Sequence, residues 1–323
     1  MSLARYLLSL SISLLVPACG EAGADGGSTS SGDQPRVVVI PKGTTHVFWQ
    51  AVDAGAQDAA AKAGLDVMFK GPLQESDRAG QKQLMQQFIG EGVAGIALAP
   101  LDHKALVPDV ARAKQKGIPV VIFDSALEGT AGEDFASFVA TDNEASGALA
   151  AAAMARLVGD GGKVVVLRYQ VGSASTTARE EGFLKAARDA GLEILVDNRH
   201  AGATVGEAKT AALNMADDLK QADGVFCPCE SVTNGMMLAL DQLKMTGELK
   251  FVGFDVTEPL ANALRGDKIH ALVVQNPRRM GELAVEHLAQ LIEGGTVAAI
   301  VDTGCVLATK QNMDEPEVAR LLK

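Results

Sequence analysis

A regular alternation of short apolar runs and longer helical segments constrains the fold of this chain more than any other feature. The runs, such as Val37–Ile40 and Pro119–Phe123, are rich in Val, Ile and Phe and have no polar face. Apolar strands separated by helices are typical of parallel sheets that are covered on both faces. After Phe135–Thr141 the alternation begins again. We therefore predict an α/β fold of two doubly wound, Rossmann-like parallel sheets.

The two halves resemble each other at the ends of their strands. In the first half Pro100 follows one strand and Asp124 follows the next, 24 residues later. In the second half Cys229 and Asp255 stand in the same relation, 26 residues apart. Ligands of such sheets bind outside the carboxyl ends of the strands, so the matching aspartates indicate a cleft between two domains. Alternatively, each aspartate caps the segment after it, which for Asp255 is the helix after Thr257.

The strand Val37–Ile40 leads through a short polar loop into a helix. Phe48 and Trp49, the only tryptophan of the chain, stand where this helix begins. Aromatic rings there suit the apolar face of a ligand, but they also suit the core beneath the helix. Apolar spacing further predicts helices over Glu75–Glu91, His103–Gln115 and Val205–Leu219.

The N-terminus has the pattern of an export signal. A short apolar run follows Arg5 and ends in Val16-Pro17-Ala18-Cys19, and this ending resembles a bacterial lipobox. The resemblance implies cleavage before Cys19 and attachment of lipid to it; an ordinary secretory signal is the alternative. Residues 21–34 are rich in Gly, Ser and Asp, which indicates a flexible linker.

Charge and motifs exclude several classes of function. A formal net charge of −11 argues against nucleic acid as a partner, and against a membrane surface other than through a lipid anchor. No nucleophile elbow, phosphate-binding loop or zinc-type spacing is present, so we predict neither an enzyme nor a cofactor.

Eight segments, spanning about Val37 to Leu291, carry a resemblance to a known family. In order, they are HVFWQAVDAGAQDAAAKAG, EGVAGIALAPLDHKAL, GIPVVIFDS, FVATDNEASG, TAREEGF, GVFCPCESVTNGMMLAL, FVGFDVTEP and VVQNPRRMGELAVEHL. The chain resembles a type I periplasmic sugar-binding protein of the ribose/galactose kind, the substrate-binding component of an ABC importer.

The resemblance implies a set of ligand-binding residues. They are Lys42, His46, Phe48, Trp49, Asp124, Arg179, Cys229, Glu230, Asp255 and Gln275. Arg179 has an alternative role, because an ion pair with Glu180 or Glu181 at the surface would also explain it.

Two positions depart from the family pattern. Ser125 replaces an arginine of ribose-type members, and Cys229 replaces an asparagine whose contact is lost or passes to Glu230. Cys227 and Cys229 stand too close in sequence for an unstrained disulfide, whereas either could pair with Cys305. Free thiols and, as a weaker alternative, a metal site formed with a histidine remain open.

The resemblance also implies the organisation of the chain. We expect a signal peptide over 1–18, a lipid-anchored linker over 19–35, a first domain of 36–142 plus 277–303 and a second of 143–276 plus 304–323. Three hinge crossings would lie near Thr141–Asn143, Gln275–Pro277 and Thr303–Cys305.

The predicted protein is a monomer of the cell envelope. It closes on a small sugar, a monosaccharide or polyol, and delivers it to the permease of an ABC importer. The alternative is a sensory receptor for a sugar-like or furanone ligand, without transport.

Overall fold

The computed structural model describes residues 34–322. The predicted signal peptide, the lipidation site Cys19 and nearly all of the predicted linker lie outside these residues. Within them, no helix is both long enough and apolar enough to pass through a membrane.

Strands and helices alternate along the described chain. The strands are β1 (Arg36–Ile40), β2 (Asp66–Phe69), β3 (Gly95–Leu98), β4 (Val120–Phe123), β5 (Ser137–Ala140), β6 (Lys163–Arg168), β7 (Glu193–His200), β8 (Gly224–Phe226), β9 (Lys250–Phe254), β10 (Ala271–Gln275), β11 (Ile300–Asp302) and β12 (Cys305–Ala308). The helices are α1 (Val47–Ala63), α2 (Arg78–Glu91), α3 (Val107–Gln115), α4 (Asn143–Val158), α5 (Ala174–Asp189), α6 (Val205–Leu213), α7 (Ala216–Leu219), α8 (Glu230–Leu243), α9 (Glu258–Arg265), α10 (Pro277–Ile292) and α11 (Pro316–Leu321).

The strands form two six-stranded sheets, each at the centre of one domain. The first has the order β11-β5-β4-β3-β1-β2, and all of its strands are parallel. The second has the order β12-β10-β9-β8-β6-β7, in which only β12 at the edge is antiparallel to its neighbour. Because both sheets are open and wound in both directions, the carboxyl ends of their central strands are free to build a site.

The chain passes between the two sheets three times. It leaves the first sheet after β5 and enters α4, which packs on α5 in the second domain. It returns after β10 into α10, which packs on α1, and it crosses once more between β11 and β12. Gly304, in the last crossing, has a φ of 70°.

The first strand shows why the sheets are buried. Val37 and Val39 pack toward α1 and α10, whereas Val38 and Ile40 pack toward α2 and α3, and all four side chains are inaccessible to solvent. Alternate residues of a strand point to opposite faces, so a strand with helices on both sides must be apolar throughout.

Three predicted helices differ from those in the structure. Helix α2 begins at Arg78 rather than Glu75, because the Asp77 side chain accepts the Gly80 N–H at 2.8 Å and caps the helix there. Helix α3 begins at Val107 with a proline in its first turn, the position where proline is favoured. The single helix predicted over 205–219 is two helices, α6 and α7.

A pair of glycines brings two helices together in each domain. In the first domain, a Cβ at Gly55 would overlap the Arg278 carbonyl, and one at Gly281 would overlap the Val52 carbonyl. In the second domain, Gly147 and Gly182 hold α4 and α5 together in the same way. These helix pairs therefore pack backbone against backbone, which only glycine permits.

We expect Gly281→Ala to lower the free energy of unfolding by about 1–3 kcal/mol, because the added methyl group forces α10 away from α1. Gly90→Ala is the control, since Gly90 lies in α2 with nothing within 4 Å of an added Cβ. Because Gly90 is exposed and alanine favours helix more than glycine does, this substitution should be neutral or slightly stabilising. Urea denaturation of both variants measures the difference, and equal stability would contradict the packing argument.

Candidate functional site

The carboxyl ends of the strands in both domains border one cavity. It encloses about 390 Å³ of space free of protein atoms, part of which is open to solvent. All ten residues that the sequence suggested for ligand binding line it: Lys42, His46, Phe48, Trp49, Asp124, Arg179, Cys229, Glu230, Asp255 and Gln275. Five further residues complete the lining, namely Glu75, Tyr169, Ser175, Thr176 and Ser231.

Lys42 lies in the loop between β1 and α1 and is buried. Its Nζ is 2.8 Å from Oδ2 of Asp124 and donates to Oγ of Ser175 in the second domain at 2.9 Å. Gln81 supports this loop from below, where its amide donates to the carbonyls of Pro41 and Ala99 at 3.0 and 2.8 Å. A buried ammonium group needs such partners, because desolvation without them is costly.

Asp124 and Asp255 occupy equivalent positions directly after β4 and β9. Both adopt positive φ, 59° and 64°, a conformation that aspartate tolerates better than most residues. Asp255 accepts the Gln275 amide at 2.7 Å and the Glu230 backbone N–H at 2.9 Å, at the start of α8. Thr257, not Asp255, caps α9, so that alternative role of Asp255 is wrong.

Burial is the main cause that raises the pKa of Asp255 to about 6, against the opposing effects of Arg179 and the Gln275 hydrogen bond. The carboxyl is therefore ionised at neutral pH and can still accept hydrogen bonds. A ligand hydroxyl group is a suitable donor to such a carboxylate.

Arg179, in α5, is buried, and the structure does not support its alternative role in a surface ion pair. Its Nε donates to Asn143 Oδ1 at 2.7 Å and its Nη2 to Gln275 Oε1 at 2.6 Å. Nη1 donates to the Pro228 carbonyl at 3.0 Å, and the guanidinium carbon lies 4.5 Å from the centre of the Phe254 ring. These contacts fix the guanidinium plane at the cavity wall.

Glu230 connects the second domain to the first helix of the first domain. One of its carboxylate oxygens is 3.3 Å from Nδ1 of His46, and the other accepts the Phe48 backbone N–H at 3.2 Å. Burial lowers the pKa of His46, but the Glu230 hydrogen bond and the charges of Glu75, Glu230 and Asp255 outweigh this effect and raise it above the ordinary value. The Glu230 carboxylate thus favours the protonated imidazole.

The two aromatic residues border both the core and the cavity. Trp49 is 3 % exposed and belongs to the core beneath α1, yet its ring also borders the cavity. Its ring centre lies 4.9 Å from that of Phe48 and 6.3 Å from that of Phe123, both edge to face. The wall of the cavity is therefore rigid and apolar at this side.

Three cysteines fall within residues 34–322, and all three have free thiols: Cys227, Cys229 and Cys305. In the same residues, no cluster of three or more His, Cys, Asp or Glu side chains is arranged to hold a metal ion. Burial is the main cause that raises the pKa of Cys229 to about 12, so its thiol stays neutral. Its Sγ lies 3.7 Å from the Ser231 hydroxyl.

Sequence reasoning missed Glu75 and Tyr169 for different reasons. The assignment of Glu75 to a helix hid it, because it lies in the loop before α2. Tyr169 follows β6 directly, so the rule that sites form at strand ends would have found it.

The loop that carries Tyr169 is held by a buried carboxylate. Glu180, in α5, accepts the Tyr169 backbone N–H at 2.8 Å and an N–H of Arg168 at 3.2 Å. Burial is the main cause that raises the pKa of Glu180 to about 7, although both hydrogen bonds oppose this effect.

The chain is similar to known proteins in sequence and in fold. Residues 37–296 match the family described as "Periplasmic binding protein domain". Among curated proteins, the D-allose-binding periplasmic protein of Escherichia coli (strain K12) is 29 % identical over 84 % of this chain and 88 % of its own. The ribose import binding protein of Bacillus subtilis (strain 168) is 26 % identical over 94 % of this chain and 98 % of its own.

Solved structures show the same similarity. A solute-binding protein of an ABC transporter from Agrobacterium vitis, with bound D-fucose, has a TM-score of 0.85 and 34 % identity, covering 89 % of this chain and 100 % of its own. A carbohydrate transporter solute-binding protein from Agrobacterium radiobacter, in complex with D-arabinose, has a TM-score of 0.84 and 29 % identity. The match covers 90 % of this chain and 99 % of its own. These matches confirm the resemblance and the fold class. Because the matched proteins are binding proteins, they also confirm that the chain is not an enzyme.

Glu180 should make stability fall as pH rises from about 4.5 to 7. A raised native pKa means that the folded protein retains a proton in this range that the unfolded chain has lost, so the free energy of unfolding decreases with pH. Each pKa unit corresponds to about 1.4 kcal/mol, so the total reaches about 3 kcal/mol. Denaturation across this range should show a smaller decrease for Glu180→Gln than for the wild type.

Glu181→Gln controls for the loss of a negative charge beside Arg168, because Glu181 contacts the same guanidinium from an exposed position. Identical pH profiles for Glu180→Gln and Glu181→Gln would refute the assignment to Glu180.

Proposed function

The chain belongs to the periplasmic binding protein domain family, and from this membership we propose that it is an envelope receptor for a small neutral sugar. The observation that carries the proposal is the convergence of charged and aromatic side chains from both domains on one cavity. Concave sites with a few fixed polar groups beside apolar side chains are typical of small-molecule binding.

The lining suits a polyhydroxylated ring. Phe48 and Trp49 offer an apolar wall to the C–H face of a sugar, as the sequence suggested. Asp124 and Asp255 accept hydroxyl hydrogens, while Lys42 and Arg179 donate to hydroxyl oxygens. These residues retain the ligand-binding roles assigned from the family resemblance, as do His46, Cys229, Glu230 and Gln275.

The charge of the cavity restricts the ligand further. Four carboxylates line it, those of Glu75, Asp124, Glu230 and Asp255, against three basic side chains, those of Lys42, His46 and Arg179. The excess of negative charge in a partly desolvated cavity disfavours an anionic ligand. We therefore assign a neutral monosaccharide or polyol, and not a sugar acid or a sugar phosphate.

The relatives support this class of ligand without fixing its identity. Curated relatives are named for allose, ribose and xylitol, and two solved structures contain bound D-fucose and D-arabinose. At the two positions that depart from the ribose-type pattern, the Ser125 hydroxyl oxygen accepts the Ser175 backbone N–H at 3.2 Å, and Cys229 lines the cavity. The ligand preference is thus expected to differ from that of a ribose receptor.

The three crossings allow the domains to close on the ligand as a hinge. The first domain would comprise residues 36–142 and 277–303. The second would comprise residues 143–276 and 304–323. Closure would bring the Lys42 loop against Ser175 and the His46 turn against Glu230, contacts that are present here at 2.9 and 3.3 Å.

The receptor would then deliver its sugar to the permease of an ABC importer. Several relatives are named as import binding proteins, which supports this role. A lipid on Cys19, after removal of residues 1–18, would hold a monomer at the membrane by its flexible linker, as the N-terminal sequence suggests.

A thermal-shift panel tests the proposed function. A neutral sugar or polyol that binds should raise the melting temperature, because a ligand at 100 times its Kd adds about 2.7 kcal/mol of stability. For the best ligand, the corresponding acid, such as a uronic acid compared with its parent hexose, should give no shift. Stabilisation by no monosaccharide or polyol would refute the sugar receptor, and stabilisation by a furanone alone would favour sensing.

Asp124→Asn should weaken sugar binding about 10- to 100-fold, since a hydrogen bond to a charged group contributes about 1.5–3 kcal/mol. Asparagine tolerates the positive φ at this position, so the backbone is retained. Asp217→Asn, which removes an exposed charge in α7, is the matched control and should bind as the wild type does. Calorimetry measures all three proteins, and unchanged affinity of Asp124→Asn would refute its assignment.

A further inference from the structure

Glu75 makes contacts that a ligand-binding role alone does not explain. It lies in the loop between β2 and α2, and its side chain is 12 % exposed. Gly43, in the loop after β1, leaves room for it, because a Cβ there would lie 2.9 Å from Cγ of Glu75. The carboxylate is therefore packed in a defined position and is not free in solvent.

One carboxylate oxygen of Glu75 fixes the aromatic wall. Oε1 accepts the indole N–H of Trp49 at 2.7 Å. An indole nitrogen can only donate, so this acceptor determines where the polar edge of the ring points.

The other oxygen reaches the second domain. Oε2 accepts the hydroxyl of Tyr169 at 2.7 Å, and the Glu75 backbone carbonyl accepts the Gln170 amide at 3.0 Å. Burial, together with the charge of Glu75, raises the pKa of Tyr169 well above its ordinary value, so the phenol keeps the proton that it donates.

The hydrogen-bond partners of Glu75, the Trp49 indole and the Tyr169 hydroxyl, explain why a carboxylate occupies this position. The indole and the phenol both donate to Glu75, so it accepts at both of its oxygens. Glutamate does this with two oxygens, whereas a glutamine amide offers one acceptor and one donor. Hydrogen bonds to a charged acceptor are also about twice as strong as neutral ones.

We infer that Glu75 is a positioning residue that couples closure of the two domains to the orientation of Trp49. The pairing of Tyr169 with Glu75 favours the closed form, and the same carboxylate holds the indole ring against the cavity. The inference rests on the proposed function in taking the closed form as the one that retains the sugar. Glu75 thereby affects affinity through Trp49 and the closure equilibrium.

A double-mutant cycle with the best sugar of the panel tests the coupling. Glu75→Ala and Tyr169→Phe should each weaken binding about tenfold or more, and the double variant should bind no more weakly than Glu75→Ala. Glu75→Gln should recover part of the loss, since its amide can still pair with both rings. Losses that multiply, or a Tyr169→Phe variant with wild-type affinity, would overturn the inference.

Two measurements without ligand separate this inference from the proposed function. Trp49 is the only tryptophan, so emission reports on the surroundings of this one indole. Glu75→Ala, which removes the acceptor of its N–H, should shift the emission, and the exposed control Glu128→Ala should not. Small-angle X-ray scattering should give a larger radius of gyration for Glu75→Ala and Tyr169→Phe than for the wild type. If no sugar binds, the proposed function fails, and unchanged emission and radius would overturn the inference independently.

Discussion

The buried guanidinium of Arg179 is the interaction on which the rest of the site depends. It donates to Asn143 at the first crossing between the domains and to Gln275 at the second. Gln275 in turn donates to Asp255, whose carboxylate caps the start of α8 and so positions Glu230. One buried cation, satisfied mainly by neutral oxygens, thus orients the hinge and the second domain's share of the cavity.

The two domains use the same physical solutions at matching positions. Each places an aspartate with positive φ after a central strand, and each brings two helices into close contact through a pair of glycines. Differences between the domains are concentrated at the cavity. The first supplies Lys42 and the aromatic wall, whereas the second supplies Arg179 and the neutral thiol of Cys229. A common framework therefore carries two unlike halves of one site.

Most of the fold could be predicted from the sequence because its strands are apolar on both faces and end in polar residues. Asp124 and Asp255 were accessible to the same reasoning, whereas Arg179 came from the family resemblance alone. Glu75 was not, because its place depends on Asp77 capping α2 and on the absence of a side chain at Gly43. The antiparallel edge strand β12 was also missed, since its direction depends on the last crossing rather than on local pattern.

The polar groups around the cavity are already bonded to one another. Lys42 contacts Asp124 and Ser175, and Glu230 contacts His46 and the Phe48 backbone. An arriving hydroxyl must share or replace existing partners, so each new hydrogen bond yields only a small net gain. Discrimination between stereoisomers can then be strict while residence time stays short. A binding protein that must release its ligand in every transport cycle requires both strict discrimination and a short residence time.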